Sequence, residues 1–324
     1  MRSIAIRDAI QEAMSEEMRR DERIVLIGEE VGAYNGAYKC SRGMLDEFSA
    51  KRVIDAPIAE NGFAGVGIGA AMTGLRPIIE FMTFNFSLIA FDQIVNTAAK
   101  LHMMSAGALE CPIVFRGANG AAFQLGAQHA NSTEQWYTYC PGLIVIAPST
   151  PYDMKGLLKS AIRDPNPVIF LESELTYGKK GEVPEDEYTI PIGKAEIKRE
   201  GSDVTLISWS KNIFMVLDVA EALQEQGISA EVIDLRTLRP LDKETIFSSV
   251  AKTNRVVIIQ EQHPMSSYGA YLSHLISTEM FDYLDAPVHV VSSLDCPMPY
   301  SKVLEEVILP SVEKIIHAVK GVLA

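Results

Sequence analysis

The chain has 324 residues, of which 48% are hydrophobic and 22% charged. At about 100–200 residues per domain, this length predicts two domains. The net charge of −13 argues against an electrostatic grip on nucleic acid or on an anionic membrane surface, so we expect neither as a partner. The longest apolar stretches are well short of the ~18–20 residues that a membrane span requires.

The four cysteines are far apart and form no Cys-x-x-Cys pair. This spacing indicates neither a zinc site nor a dense disulfide framework. Scattered cysteines of this kind are typical of a reducing compartment. The first residues lead directly into an amphipathic pattern, without an apolar signal core or an Arg-rich, acid-poor leader. We therefore expect a cytoplasmic protein.

Short apolar runs alternate with helical patterns in the first half of the chain. Apolar residues spaced three and four apart predict a helix over 4–20. Further helices are predicted over 62–72, 86–106 and 152–163, and strands over 24–28, 77–81, 113–116, 143–147 and 168–172. Strands of this length separated by helices indicate a parallel sheet covered on both faces.

Residues 178–187 are polar and charged, which predicts a linker or a long surface loop. The alternation then restarts, with strands predicted over 204–208, 231–235, 256–260 and 288–291, and helices over 214–226, 243–253, 268–281 and from 303. We therefore predict an α/β protein with two parallel-sheet domains, at 1–177 and 193–324, joined by a linker over 178–192.

A glycine-rich segment begins at about residue 62. Gly65-x-Gly67 fits a loose dinucleotide fingerprint, which would favour a nicotinamide-dependent oxidoreductase. That fingerprint requires a strand that turns straight into the glycines, whereas residues 59–64 intervene here. The spacing of Gly62, Gly65 and Gly69 instead places them on one helix face, where small residues permit close approach.

Glu60 stands immediately before this glycine-rich segment. A first-turn acid that complements the helix dipole is one explanation. The alternative is a buried carboxylate at a subunit junction. Its apolar neighbours Ile58 and Phe63 would then desolvate it and make it a proton donor and acceptor near neutrality.

An aromatic-rich segment, 80–86, follows the strand predicted over 77–81. Residues at the carboxyl end of a parallel strand commonly line a ligand crevice. A flat heteroaromatic ring would use Phe86 for stacking and Met82 for shape, whereas core packing is the alternative. His129 follows a glycine-bearing loop and either donates to an anionic intermediate or is a hydrogen-bonded structural histidine.

Motifs of several other enzyme classes are missing. The chain contains no Gly-x-x-x-x-Gly-Lys-Ser/Thr, no Gly-x-Ser-x-Gly and no His-Glu-x-x-His. It also lacks a Gly-Asp-Gly followed by Asn-Asn, the motif that holds magnesium diphosphate in thiamine diphosphate enzymes.

Six segments match one known family jointly: GEEVG at 28–32, PIAENG at 57–62, GLRPIIEFMTFNF at 74–86, FDQI at 91–94, AIRDPNP at 161–167 and DCPMPY at 295–300. Over nearly its whole length the chain resembles the beta subunits of the pyruvate-decarboxylating first component of the pyruvate dehydrogenase complex. Relatives that act on branched-chain 2-oxo acids or on acetoin share the overall pattern but differ around 80–86. Pyruvate is therefore the expected substrate.

The resemblance implies an α2β2 heterotetramer with thiamine diphosphate at its α/β interfaces. It also implies a pyrimidine-binding transketolase-like domain followed by a transketolase C-terminal-like domain. The missing diphosphate motif then implies that the alpha subunit holds the diphosphate and Mg²⁺, while this chain supplies the aminopyrimidine half of the site. This chain would be inactive alone, and the assembled enzyme would transfer the acetyl unit to a lipoyl group of an acyltransferase core.

The resemblance also implies residue roles. Glu60 would hydrogen-bond the aminopyrimidine ring nitrogen and favour its imino tautomer. Phe86 would pack on that ring, with Met82 and Ile58 beside it. His129 would stabilise or protonate the intermediate and assist transfer to the lipoyl group.

Two further sites are implied in the same way. Asp285 would contact the peripheral-subunit-binding domain of the acyltransferase through rim electrostatics, or it is an idle surface acid. A potassium ion would be held by Ile113, Ala161, Ile162, Asp164 and Asn166, although a helix C-terminal turn explains the same residues. The alternative of a different class is a non-catalytic α/β scaffold subunit.

Overall fold

The computed structural model describes residues 1–324, and the chain divides into two units. The first unit is built around a parallel sheet. This unit comprises residues 1–119 and 136–192, and the second comprises residues 120–135 and 193–324. The segment 120–135 therefore belongs with the carboxyl-terminal part of the chain. None of the helices combines the length and the apolarity that a membrane crossing requires.

Six parallel strands form the sheet of the first unit, in the order β6-β7-β5-β4-β2-β3. They are β2 (Ile24–Gly28), β3 (Val53–Asp55), β4 (Arg76–Glu80), β5 (Val114–Ala118), β6 (Ile144–Ile146) and β7 (Val168–Glu172). Apolar side chains of the strands pack against the buried faces of α1 (Ile6–Arg20) and α6 (Pro151–Arg163). The shorter helices α2 (Met44–Phe48) and α5 (Glu134–Thr138) follow β2 and β5 in the chain.

The first helix begins at Ile6, two residues later than predicted. Residues Arg2–Ala5 form strand β1, which pairs antiparallel with β8 (Lys180–Val183). The polar segment 178–187 therefore contains a strand. Its local composition hid this strand because only the last residue of each strand, Ala5 in β1 and Val183 in β8, is buried.

The single helix predicted over 86–106 is three shorter elements. A 3-10 helix (Phe84–Leu88) is followed by a π-helix (Gln93–Ala98) and by helix α4 (Ala99–Met104). The hydroxyl of Ser87 is buried and donates to the carbonyl of Phe84 at 2.5 Å. Such local side-chain bonds compete with a continuous helix.

Helix α3 (Glu60–Met72) contains the glycines of the dinucleotide-like pattern. A Cβ atom on Gly67 would lie 2.5 Å from the Cδ1 atom of Ile79 in β4, so this glycine permits the helix to approach the sheet. A Cβ atom on Gly69 would meet nothing within 4 Å. Close packing on the sheet therefore explains Gly67 without a dinucleotide.

The sheet of the second unit has five strands in the order β14-β13-β10-β11-β9. Strands β10 (Val204–Ser208), β11 (Ala230–Asp234), β13 (Val256–Ile259) and β14 (His289–Val291) are parallel, and β9 (Glu196–Arg199) is antiparallel at the edge. The remaining elements are α7 (Asn212–Gln224), β12 (Thr237–Arg239), α8 (Lys243–Thr253), α9 (Tyr268–Glu279), a 3-10 helix (Phe281–Tyr283), α10 (Lys302–Ile308) and α11 (Val312–Leu323). The predicted α/β class with two sheets is confirmed.

The carboxyl-terminal helix predicted from residue 303 is two helices. Helix α10 ends at Ile308, and α11 begins at Val312 after Pro310. A proline cannot donate a backbone hydrogen bond to the preceding turn, so it separates them. Ser311 then caps α11 by accepting a hydrogen bond from the backbone of Lys314.

Candidate active site

Three elements of the first unit meet at the carboxyl edge of its sheet. Strand β2 ends at Gly28, directly before Glu29, and its partner β4 ends opposite it at Glu80. Strand β2 lies between β3 and β4, so the chain runs from β2 to β3 on one side of it and then crosses to β4 on the other side. Helix α3 begins at Glu60, soon after β3. Ligands of parallel sheets bind at such an edge.

Glu29 and Glu60 form a buried acid pair at this edge, with exposed fractions of 4% and 3%. Burial, followed by the charge of Glu60 and a hydrogen bond with it, raises the pKa of Glu29 to about 7. A hydrogen bond from the backbone of Met82 lowers the pKa of Glu29, but by less than the other effects raise it. Because two adjacent carboxylates ionise together only at high cost, protonated Glu29 donates to Glu60.

One oxygen of this pair has no partner. The Oε1 atom of Glu29 is buried and accepts no hydrogen bond. An unpaired buried acceptor costs about 1–3 kcal/mol, and in a native protein it commonly marks a functional place. The acid pair is therefore suited to a polar heterocycle that exchanges hydrogen bonds and a proton with it.

The aromatic residues of the segment 80–86 divide into two groups. Phe81 and Phe84 are buried and their rings meet edge-on at 5.5 Å, so core packing is the correct explanation for them. Met82 and Phe86 are only half-buried. Helix α3 packs against the 3-10 helix that contains Phe86, which brings that helix to the same edge as Glu60.

Ile58 is 83% exposed in the chain by itself. It lies two residues before Glu60, in the connection between β3 and α3. A large apolar side chain with this exposure has surface available for a ligand or a partner chain.

A buried ion cluster fixes the neighbouring strand ends. The guanidinium of Arg116 in β5 donates two hydrogen bonds of 2.6 Å to Glu172 at the end of β7, and a third to Glu80. The hydroxyl of Tyr177 also donates to Glu172, at 2.7 Å. Because Glu80 lies opposite Gly28, this cluster holds the strand end that precedes Glu29. Sequence analysis did not identify Arg116.

The residues implied for potassium lie at the opposite edge of the sheet, where β4 begins. The guanidinium of Arg76 donates to the carbonyl oxygens of Ile162, at 2.9 Å, and Asp164, at 2.7 Å. Asp164 also accepts two hydrogen bonds from Asn166, at 2.8 and 2.9 Å.

The other two members of this set are also engaged. The carbonyl of Ile113 accepts a hydrogen bond from Val168, and that of Ala161 accepts one from Asp164. Each carbonyl oxygen has a second lone pair, so these oxygens retain the donor chemistry for a hard monovalent cation. No group of three or more His, Cys, Asp or Glu side chains in the structure is arranged to hold a metal ion.

His129 and Asp285 both belong to the second unit. His129 is half-buried, and its backbone donates to the carbonyl of Gly126 at 3.3 Å. Asp285 is exposed and its carboxylate pairs with Arg255 at 3.0 Å. This partner makes Asp285 part of a surface ion pair.

Glu29 is the residue that sequence reasoning missed as a site residue. It stands inside the GEEVG segment that carries the family resemblance, but the resemblance implies no role for it. The available signal was its position, since it follows directly on an apolar strand run whose carboxyl end reaches the ligand-binding edge.

Comparisons with known proteins identify the two domains. The family description "Transketolase, pyrimidine binding domain" matches residues 2–180, and "Transketolase, C-terminal domain" matches residues 193–315. A solved structure described as a split gene transketolase, an inactive beta4 tetramer, has a TM-score of 0.81. The match covers 99% of this chain and 98% of that one at 22% identity, which shows the fold.

Curated relatives are more similar in sequence. The pyruvate dehydrogenase E1 component subunit beta of Rickettsia felis is 53% identical over 319 residues, covering 98% of both chains. The protein of the same name from Rhizobium meliloti is 52% identical, covering 99% of this chain and 70% of the relative. The mitochondrial relative from Pisum sativum is 50% identical, covering 98% and 90%.

Proposed function

Because this chain belongs to the family of pyruvate dehydrogenase E1 component beta subunits, we propose that it supplies the aminopyrimidine-binding half of a thiamine diphosphate site. The assembled enzyme would be an α2β2 heterotetramer that decarboxylates pyruvate and passes the acetyl unit to a lipoyl group of an acyltransferase core. The alpha subunit would hold the diphosphate and Mg²⁺, since this chain lacks the corresponding motif.

The acid pair is the single observation that supports this function. When bound, thiamine diphosphate supplies the electron sink for decarboxylation of a 2-oxo acid. Glu60 would hold or return a proton at a ring nitrogen of the aminopyrimidine. Glu29 would supply the hydrogen bond that keeps the Glu60 carboxylate in place, and its unpaired oxygen would be available to the bound ring.

Apolar side chains would complete this half of the site. Phe86 would pack on the aminopyrimidine ring, and Met82 and Ile58 would lie beside it. Their incomplete burial in the chain supports this role, because a bound cofactor or the alpha subunit would cover the surface they leave open.

His129 would act after decarboxylation, by stabilising or protonating the intermediate and assisting acyl transfer. The Asp164 turn would bind potassium through carbonyl oxygens and one carboxylate, a structural role at the edge of the sheet remote from the acid pair. Asp285 would contact the acyltransferase core. The four cysteines form no disulfide, which supports a cytoplasmic or other reducing location, although relatives from Oryza sativa and Pisum sativum are named as mitochondrial.

The decisive experiment uses the chain reconstituted with its natural alpha subunit. Each chain alone should be inactive and the mixture should decarboxylate pyruvate in preference to branched 2-oxo acids. Glu60→Gln should assemble normally and lower decarboxylation by about 10²–10⁴-fold, the range of a general acid–base group. Glu22→Gln, at an exposed position before the amino end of β2, is the matched control. Near-normal turnover of Glu60→Gln would refute the assigned role, and activity of the alpha subunit alone would support a scaffold.

A further inference from the structure

The segment 120–135 is a loop of the second unit whose ends are joined. The backbone N–H of Gly120 donates to the carbonyl of Asn131 at 3.0 Å. Ala121 and Ala130 pack in a small apolar cluster with residues of the carboxyl-terminal region, namely Met298 and Ile308. Compact loops with adjacent ends are frequently functional. The contacts that hold the two ends of this loop together therefore determine where its other side chains lie.

A buried ion pair between Glu261 and Lys211 contacts both ends of this loop. The carboxylate of Glu261 accepts hydrogen bonds from the backbone N–H of Ala121 and from the hydroxyl of Ser132, the latter at 3.1 Å. The ammonium of Lys211 pairs with the same carboxylate and donates to the carbonyl of Ala121 at 2.5 Å. One ion pair thus engages both peptide groups of Ala121 as well as a side chain on the returning limb of the loop.

The loop is shaped around this carboxylate. A Cβ atom on Gly120 would lie 2.5 Å from an oxygen of Glu261, and the φ of Gly120 is +79°. Only glycine therefore allows the carboxylate to approach so closely. Glu261 is 8% exposed and the Lys211 side chain 14%, so solvent and salt screen these contacts little.

We infer that Glu261 and Lys211 are positioning residues that hold the 120–135 loop, and with it His129, in the conformation required for acyl transfer. His129 lies between the two points that Glu261 holds, Ala121 and Ser132, and three residues before the second of them. This inference rests on the role proposed for His129.

The test compares Glu261→Gln with a matched control in the enzyme reconstituted with its alpha subunit. The control is Glu200→Gln, which removes the exposed partner of Lys252 in the same unit. Glu261→Gln should make amide hydrogen exchange of residues 120–135 roughly ten- to hundredfold faster, since hydrogen bonds to a charged group are lost. Lipoyl acetylation should fall about tenfold or more, while decarboxylation with an artificial electron acceptor stays within about twofold.

A double variant that combines Glu261→Gln with His129→Ala distinguishes a positioning role of Glu261 from a general effect on stability. Its acetylation should be no lower than that of His129→Ala alone, because both changes remove one function. Wild-type exchange and acetylation in Glu261→Gln overturn the inference. If that variant does not fold, Lys211→Gln and Ser132→Ala must show the same loop-specific exchange, and the inference fails if they do not. A His129→Ala variant with full acetylation refutes the role of His129 itself, whatever the exchange of the loop.

Discussion

The protonated carboxyl of Glu29 donates a hydrogen bond to Glu60, and both side chains are buried at the carboxyl edge of the sheet of the first unit. The two residues come from different segments of the chain and meet only through the pairing of β2 with its neighbours. Burial and the charge of Glu60 therefore keep a proton on Glu29 at pH values where a free carboxyl would lose it.

Glu29→Gln should remove a pH dependence of stability. Folding raises the pKa of Glu29 from 4.5 to about 7, so between these values the folded chain keeps a proton that the unfolded chain releases. The resulting stabilisation is complete below the lower value and is lost as the pH rises through the upper one. Calorimetric melting temperatures between about pH 5 and pH 8 should fall less steeply for Glu29→Gln than for the wild type. Glu22→Gln should keep the wild-type slope, and equal slopes in all three proteins would contradict the prediction.

Arg116→Met should destabilise the first unit strongly. The substitution leaves the carboxylates of Glu80 and Glu172 buried without their shared cation. Breaking a buried pair in this way costs about 3–5 kcal/mol. Urea unfolding measures this difference. Arg19→Met, which removes an exposed partner of Glu47, should cost less than about 1 kcal/mol, and a similar small loss for Arg116→Met would argue against the cluster.

Potassium should stabilise the chain through the Asp164 turn. At a concentration about a hundredfold above its dissociation constant, a ligand of the folded state adds roughly 2.7 kcal/mol. The melting temperature in potassium chloride should therefore exceed that in tetramethylammonium chloride of equal ionic strength by a few degrees. Asp164→Asn should abolish this difference and Asp186→Asn, an exposed control in the same unit, should retain it. Equal melting in both salts would rule out the proposed site.

Asp285→Asn should slow docking to the acyltransferase domain. Rim charges act mainly on association, so surface plasmon resonance at low salt should give a roughly three- to tenfold lower association rate. The difference should shrink as the salt concentration rises. Because Asp285 also pairs with Arg255, the melting temperature of the variant must be shown to be unchanged. Asp218→Asn, exposed on α7, is the control, and an equal effect there would remove the site specificity.

Local patterns predicted the regular elements well. The strands over 24–28, 168–172 and 204–208 and the helix over 243–253 have the predicted bounds. Apolar periodicity reports directly on such elements, because each buries one face or both. The pattern failed over 86–106 and 178–187. In the first segment the buried hydroxyl of Ser87 bonds to the backbone of Phe84, and in the second a distant strand supplies the hydrogen-bond partners.

The sequence by itself determined the α/β class, the two-sheet organisation and the family, since these depend on composition, periodicity and motif. Only the tertiary structure decided that Glu29 is the partner of Glu60, that Arg116 links the ends of β4 and β7, and that the loop bearing His129 is held by Glu261. The physical reason is the same in each case. These contacts join residues distant in the chain, and strand order and register, which no local pattern encodes, bring them together.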